Sequence, residues 1–220
     1  MAKEVVVLSA ARSAIGTFGG SLSTLEPAEL AGQVMKETVA RSGVPSDQIG
    51  NVVVGHVIPT DARFAYVSRV AAIQAGLPMD SIAMQLNRLC SSGLQAIVTA
   101  SQSIMLGDFD YSLGGGVEVM SRGGYMLPAL RSGARMGDTK AVDMMVSTLT
   151  DPFGVGHMGI TAENLATKWN ITREEQDAFA VESHRRAAAA IAEGRFKSQI
   201  VPIVLPVSYT HLTLPTIYSV

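Results

Sequence analysis

The sequence holds a single cysteine, Cys90. It falls where a segment reading as a strand, Ser81 to Leu86, turns into one reading as a helix, Ser92 to Leu106. A thiol at such a junction faces the unpaired N–H groups of a first helical turn and the positive end of the helix dipole. Both favour thiolate over thiol, so the position suits a nucleophile. A solitary cysteine is more often a small apolar core residue, and the neighbours must decide. They run Asn87, Arg88, Leu89, Cys90, Ser91, Ser92, Gly93, Leu94, Gln95, Ala96. Small residues follow the sulfur, and Gly93 has no side chain to block a reacting carbonyl from approaching the backbone.

Other chemistry-bearing residues carry weaker signals. Gly114, Gly115 and Gly116 follow a strand, but no Gly-x-Gly-x-x-Gly opens a helix after them and no Walker lysine is present, which argues against a nucleotide-phosphate loop. Glu118 is expected to order backbone near the nucleophile. Arg122 reads equally as a surface charge or an anion contact. His184, Arg185 and Arg186, flanked by Glu182 and Glu193, read as a solvated helix face. Met136, Met144 and Met145 read as packing residues. His157, between Gly156 and Met158, is by spacing alone a loop histidine more readily than a ligand contact.

The elements that must position Cys90 alternate. Val5 to Ala10 is an apolar run of strand length, read as a strand buried on both faces. Glu29 to Ser42 reads as a helix entered near Pro27 and stopped at Gly43. Val52 to Val57 reads as a second buried strand, Arg63 to Ala75 as a helix closed by Gly76, and Tyr111 to Gly115 as a further strand. The helix after Cys90 is apolar on nearly every side, through Leu94, Ala96, Ile97, Val98, Ala100, Ile104 and Met105, and is expected to be central and buried. The alternation predicts a layered α/β domain with a mostly parallel sheet. From about Met120 the pattern becomes helical and rich in Met, Gly and Arg, which predicts a lid. Within it Thr161 is expected to cap one helix. Thr172 with Glu175 forms a capping box for another that runs to Ala192 and stops at Gly194.

The 220 residues are 47% hydrophobic and 16% charged, enough to bury a sizeable core. A net charge of -2 gives no bulk attraction to nucleic acid or anionic membrane. No apolar run reaches the length of a membrane span, and Met1 to Glu4 lacks the order of a signal peptide. One cysteine forbids an internal disulfide and suits a reducing compartment, so the cytoplasm is expected.

Four separated segments together resemble the thiolases, acyltransferases that make or cleave 3-ketoacyl-CoA. They are Ala10 to Gly20; Asn87 to Ala96 around Cys90; Gly114 to Arg122, similar to a Gly-Gly-x-Glu-x-Met-Ser signature; and Gly156 to Asn164. The resemblance runs from the N-terminus to about Leu205. It implies a thiolase-like layered fold over residues 1–119 and a mainly helical loop domain, incomplete, over 120–206, which in the family covers the CoA site and contributes to tetramer contacts. It implies Cys90 as the catalytic acyl acceptor and His157 and Met158 as substrate-binding residues near the pantetheine arm. No cofactor and no metal are implied; the expected partners are acyl-CoA, acetyl-CoA and CoA, with no nucleic acid or membrane, in a homodimer or homotetramer of the whole protein. Asp151, Pro152 and Phe153 to Met158 look closer to the bacterial β-ketothiolases.

Two departures lie in these motifs. Ser91 stands where many members have glycine, and Val117 and Val119 replace the usual Ala and Ser. A larger one concerns the family's Gly-His-Pro histidine, its second catalytic cysteine and its Asn-Glu-Ala-Phe asparagine. None is present: His56, His157, His184 and His211 are not followed by proline, and there is no second cysteine. The expectation is a chain derived from a thiolase that does not itself turn over. The competing readings are a non-catalytic fragment and a ketoacyl synthase-like condensing enzyme. Residues 207–220 fit nothing before them; Val207 to Leu212 resemble the translated end of a sequencing adapter, and the native reading is expected to end near Val204 to Pro206.

Overall fold

The computed structural model describes residues 4–205 and the backbone of 211–212. The expected non-native tail, 207–220, otherwise lies outside the described residues. The chain divides into two compact units. Among the described residues, one is formed by 4–122 together with 197–205, the other by Gly123–Phe196.

The first unit is built on a parallel sheet. Helix α1, Pro27–Ser42, starts at Pro27, is closed by a capping box between Glu26 and Glu29, and ends at Gly43 with φ 73°. Strand β1, Asn51–Gly55, follows, then a short 3₁₀ turn and helix α2, Val67–Gln74. Strand β2 spans Ile82–Leu86, helix α3 Ser92–Leu106 and strand β3 Ser112–Gly116. The sheet order is β2-β1-β3, all parallel, with Gly55 level with Leu86 on one side and Gly116 on the other.

β1 is the buried centre. Val52, Val53 and Val54 are at most 1% exposed. By strand alternation Val52 and Val54 enter the core formed with Met35 and Val39 of α1 and Ala71 and Ala72 of α2, while Val53 packs with Ala96 and Ala100 of α3. The layers are therefore α1 and α2, the sheet, and α3. Asn51, buried at the start of β1, donates to Ser103 Oγ at 2.9 Å and Ser112 Oγ at 3.2 Å, which ties α3 to the far end of the sheet.

Two sequence expectations are corrected here. Val5 to Ala10 forms no strand: Val6, Val7 and Leu8 are exposed, because no strand among the described residues lies beside them to supply ladder bonds. Helix α3 is not buried all round. Ser92, Ala96 and Ala100 are buried on the sheet, whereas Leu94, Ile97, Val98 and Met105 are exposed, since no further layer among the described residues of this unit covers that side. Near the far end of the described chain, Arg12 bridges Ile200, and Ile203–Val204 pairs antiparallel with His211–Leu212.

The second unit is mainly helical, with two-residue strands β4 (Tyr125–Met126), β5 (Val142–Asp143), β6 (Thr150–Asp151) and β7 (Gly156–His157). Helix α4 covers Met144–Thr148, α5 Met158–Trp169 and α6 Arg173–Ala192. The capping box of Thr172 with Glu175 forms as expected. Thr161 caps nothing, because it lies inside α5; His157 takes the cap, its Nδ1 accepting the Gly159 N–H at 3.1 Å. Met136 is 97% exposed, so it packs nothing here. Among the described residues no helix is long and apolar enough to cross a membrane.

Candidate active site

Cys90 is exposed, between the end of β2 and the start of α3. The turn that carries it is tight. Leu89 has φ 49°, a left-handed conformation that costs a side-chain-bearing residue free energy and persists only where its surroundings hold it. Those surroundings are explicit. Asn87 Oδ1 accepts the Leu89 N–H at 2.9 Å, and Leu89 O accepts both the Ser92 N–H at 3.0 Å and the Ser92 hydroxyl at 2.6 Å. The same hydroxyl accepts the Arg88 N–H at 2.8 Å, and the Arg88 guanidinium donates to Gln95 Oε1 at 2.7 Å.

Glycines seat this turn. A Cβ on Gly55 would stand 2.5 Å from the Ser92 carbonyl carbon, and one on Gly116 would stand 3.0 Å from Gly93 Cα. At Gly114 it would meet Ile97 Cα at 2.9 Å. The glycine run of β3 thus lets α3 lie close to the sheet and is not a phosphate cradle. The Ser92 N–H is taken by Leu89 O, and no side chain caps α3, which leaves the Gly93 and Leu94 N–H groups of its first turn beside the sulfur.

The ends of β1 and β3 meet at a polar cluster that sequence reasoning only half found. Glu118, expected to order backbone, does so: its two carboxylate oxygens accept the N–H groups of Val57 and Ile58, each at 3.0 Å. His56 was not singled out by the sequence. It is 2% exposed, its Nδ1 lies 3.0 Å from Val117 O and 3.1 Å from Glu118 Oε1, and its backbone N–H donates to Leu86 O. Burial works against a charged imidazole here. The Glu118 hydrogen bond, the Val117 carbonyl and the charges of Glu118 and Asp61 outweigh it and hold His56 above the ordinary histidine value. The signal available was a histidine following a fully buried strand, where a polar side chain must find a partner.

A cavity of about 310 Å³ lies at this end of the sheet, lined by His56, Phe64, Gln85, Leu86 and Asn87 among others. Another, of about 390 Å³, is lined by Gly50, Asp108 and Phe109 at the opposite end, where strands begin. Open parallel sheets bind ligands outside strand carboxyl ends, which favours the cavity beside Asn87.

His157 and Met158 belong to the second unit, both exposed. Arg122, half-buried, donates to Thr24 O at 3.2 Å. Arg185 and Arg186 are exposed and both bind Glu182, whose carboxyl they hold down to about 2, as a solvated face would. Among the described residues no cluster of His, Cys, Asp or Glu could hold a metal ion.

Residues 5–215 match the family model described as thiolase, N-terminal domain. The chain belongs to the thiolase family. A β-ketothiolase, BktB, from Cupriavidus necator is 56% identical over 204 residues, covering 93% of this chain and 52% of that thiolase. An acetyl-CoA acetyltransferase of the same organism is 46% identical over 204 residues, 92% of this chain and 52% of the relative. The crystal structure of the Bacillus anthracis acetyl-CoA acetyltransferase superposes with a TM-score of 0.88 at 42% identity, over 94% of this chain and 52% of that one. The thiolase-like α/β fold is thereby established, and the chain spans about half the length of these relatives.

Proposed function

We propose that this chain is the acyl-accepting part of a thiolase-type acyltransferase, with Cys90 taking an acyl group from a CoA thioester. The observation that carries this reading is an exposed thiol on a tightly held turn at an uncapped helix start. The Cys90 thiolate attacks the carbonyl carbon of acetyl-CoA, and the oxyanion is received by backbone N–H groups at the start of α3. The C–S bond to CoA then breaks, and CoA leaves as its thiolate and takes up a proton. With a 3-ketoacyl-CoA the attack falls on C3, the C2–C3 bond breaks, and its electron pair remains on C2 of acetyl-CoA until a proton arrives. Both routes give a thioester on Cys90, close in energy to the substrate thioester, so transfer stays reversible.

His157 and Met158 are proposed to contact the pantetheine arm, and CoA thioesters act as substrates without a further cofactor. The whole protein is read as a cytoplasmic homodimer or homotetramer, which similarity to acetyl-CoA acetyltransferases supports only at the level of its substrates. The proton-moving histidine and second cysteine of the family are not in this sequence, so acylation occurs without turnover.

Intact-mass analysis after incubation with acetyl-CoA tests this. One acetyl group on Cys90, absent in Cys90→Ser, is expected, with no thiolysis of acetoacetyl-CoA. Failure of Cys90 to load would overturn the nucleophile assignment, and sustained thiolysis would overturn the assignment of a half-reaction.

A further inference from the structure

The imidazole of His56 has three constraints. Nδ1 faces Val117 O at 3.0 Å and a Glu118 carboxylate oxygen at 3.1 Å. A carbonyl and an ionised carboxylate can only accept, so Nδ1 must carry the proton. Nε2, buried and without a partner, is then a bare acceptor in the neutral ring. Gln85 Oε1 is likewise buried without a partner, and both residues line the cavity that Asn87 also lines.

The connections through residues 55–58 reach every strand of the sheet at its carboxyl end. Gly55 O accepts the Val117 N–H at 3.0 Å, and the His56 N–H donates to Leu86 O at 3.1 Å. The His56 ring holds Val117 and Glu118, while Glu118 holds Val57 and Ile58. Leu86 leads directly into Asn87, whose side chain holds Leu89, the left-handed residue before the sulfur.

We propose that His56, locked by Glu118 as the Nδ1–H tautomer, is a positioning residue for the Cys90 turn, pinning the ends of β1 and β3 beneath the strand end that leads to the nucleophile. It touches no reacting atom and acts through Leu86, Asn87 and Leu89. The inference rests on Cys90 being the reactive group of the proposed function. The groups that face the ring with charge are Glu118 and Asp61; Gln85 and Asn87, on the same cavity, are neutral.

The test uses the whole 220-residue chain labelled with ¹⁵N-histidine. At a pH where the ring is neutral, His56 is expected to show a protonated Nδ1 and an unprotonated Nε2. The reverse tautomer overturns the proposal. Hydrogen exchange over residues 86–92 and the rate of Cys90 alkylation by iodoacetamide are then compared among His56→Ala, His56→Asn and Glu118→Gln. His56→Ala and Glu118→Gln are expected to speed exchange in that segment at least tenfold and to change alkylation at least threefold. His56→Asn keeps an N–H donor near the Nδ1 position and is expected to restore much of both. Wild-type exchange and alkylation in a folded His56→Ala chain overturn the proposal. Should that variant not fold, the same wild-type values in Glu118→Gln do so. Acetyl loading of wild-type Cys90 is read separately. Its failure removes the proposed function, while the tautomer and exchange results still decide the role of His56.

Discussion

Gly55 and Ser92 are in backbone contact: a methyl group on Gly55 would lie 2.5 Å from the Ser92 carbonyl carbon and 2.7 Å from its Cβ. The end of the central strand is thus the surface against which α3 and its nucleophile turn are set. Gly55→Ala is expected to push the start of α3 outward and to cost about 1–3 kcal/mol, the usual penalty of overpacking a core that cannot give way. Urea unfolding of the two chains measures the loss, and an unchanged midpoint would refute the contact.

Stability is expected to depend on pH through His56. Its native value is raised above that of the unfolded chain. The stabilisation it brings is therefore fully present below about 6.5, the ordinary histidine value, and fades as pH rises through the higher native value. Unfolding free energies measured from pH 6 to 8 should fall by more in the wild type than in His56→Asn. A flat wild-type profile, or one rising with pH, contradicts the assignment.

How far these relationships could be read from the chain differs element by element. The bounds of α3 were legible because apolar residues recur from Leu94 to Leu106, between the small residues after Cys90 and Gly107, which takes the left-handed stop at φ 85°. The central strand β1 was legible as a short apolar run, Val52 to Val54, between Gly50 and Gly55. The Val5 to Ala10 run was not, because apolar residues state a need for cover and not the identity of a ladder partner. The α5 cap was assigned to Thr161 by residue type, yet a histidine ring nitrogen at His157 accepts the same bond. The pairing of His56 with Glu118 depends on two strand ends meeting in space, which no local spacing encodes.

The uncovered side of α3 carries Leu94, Ile97, Val98 and Met105, one stripe at helical spacing. An apolar stripe of that kind drives association. The chain is expected to self-associate with rising concentration, and Leu94→Glu with Val98→Lys to lower the apparent mass in sedimentation velocity. Equal masses for both would show that the stripe is not the contact.

The capping box at the head of α6 is exposed and acts locally. Thr172 Oγ1 accepts the Glu175 N–H at 3.2 Å, and Glu175 Oε2 accepts the Thr172 N–H at 2.9 Å. Thr172→Ala is expected to cost about 1 kcal/mol and to fray the first turn of α6. Amide exchange at Arg173 to Gln176 reads this directly; protection equal to wild type contradicts it.

A single thiol, open to solvent on a turn fixed by Asn87 and Ser92, also gives the molecule one built-in attachment point. A maleimide fluorophore or nitroxide placed there needs no engineered background. Its emission or line shape would follow the head of α3 as the protein binds, loads or unfolds.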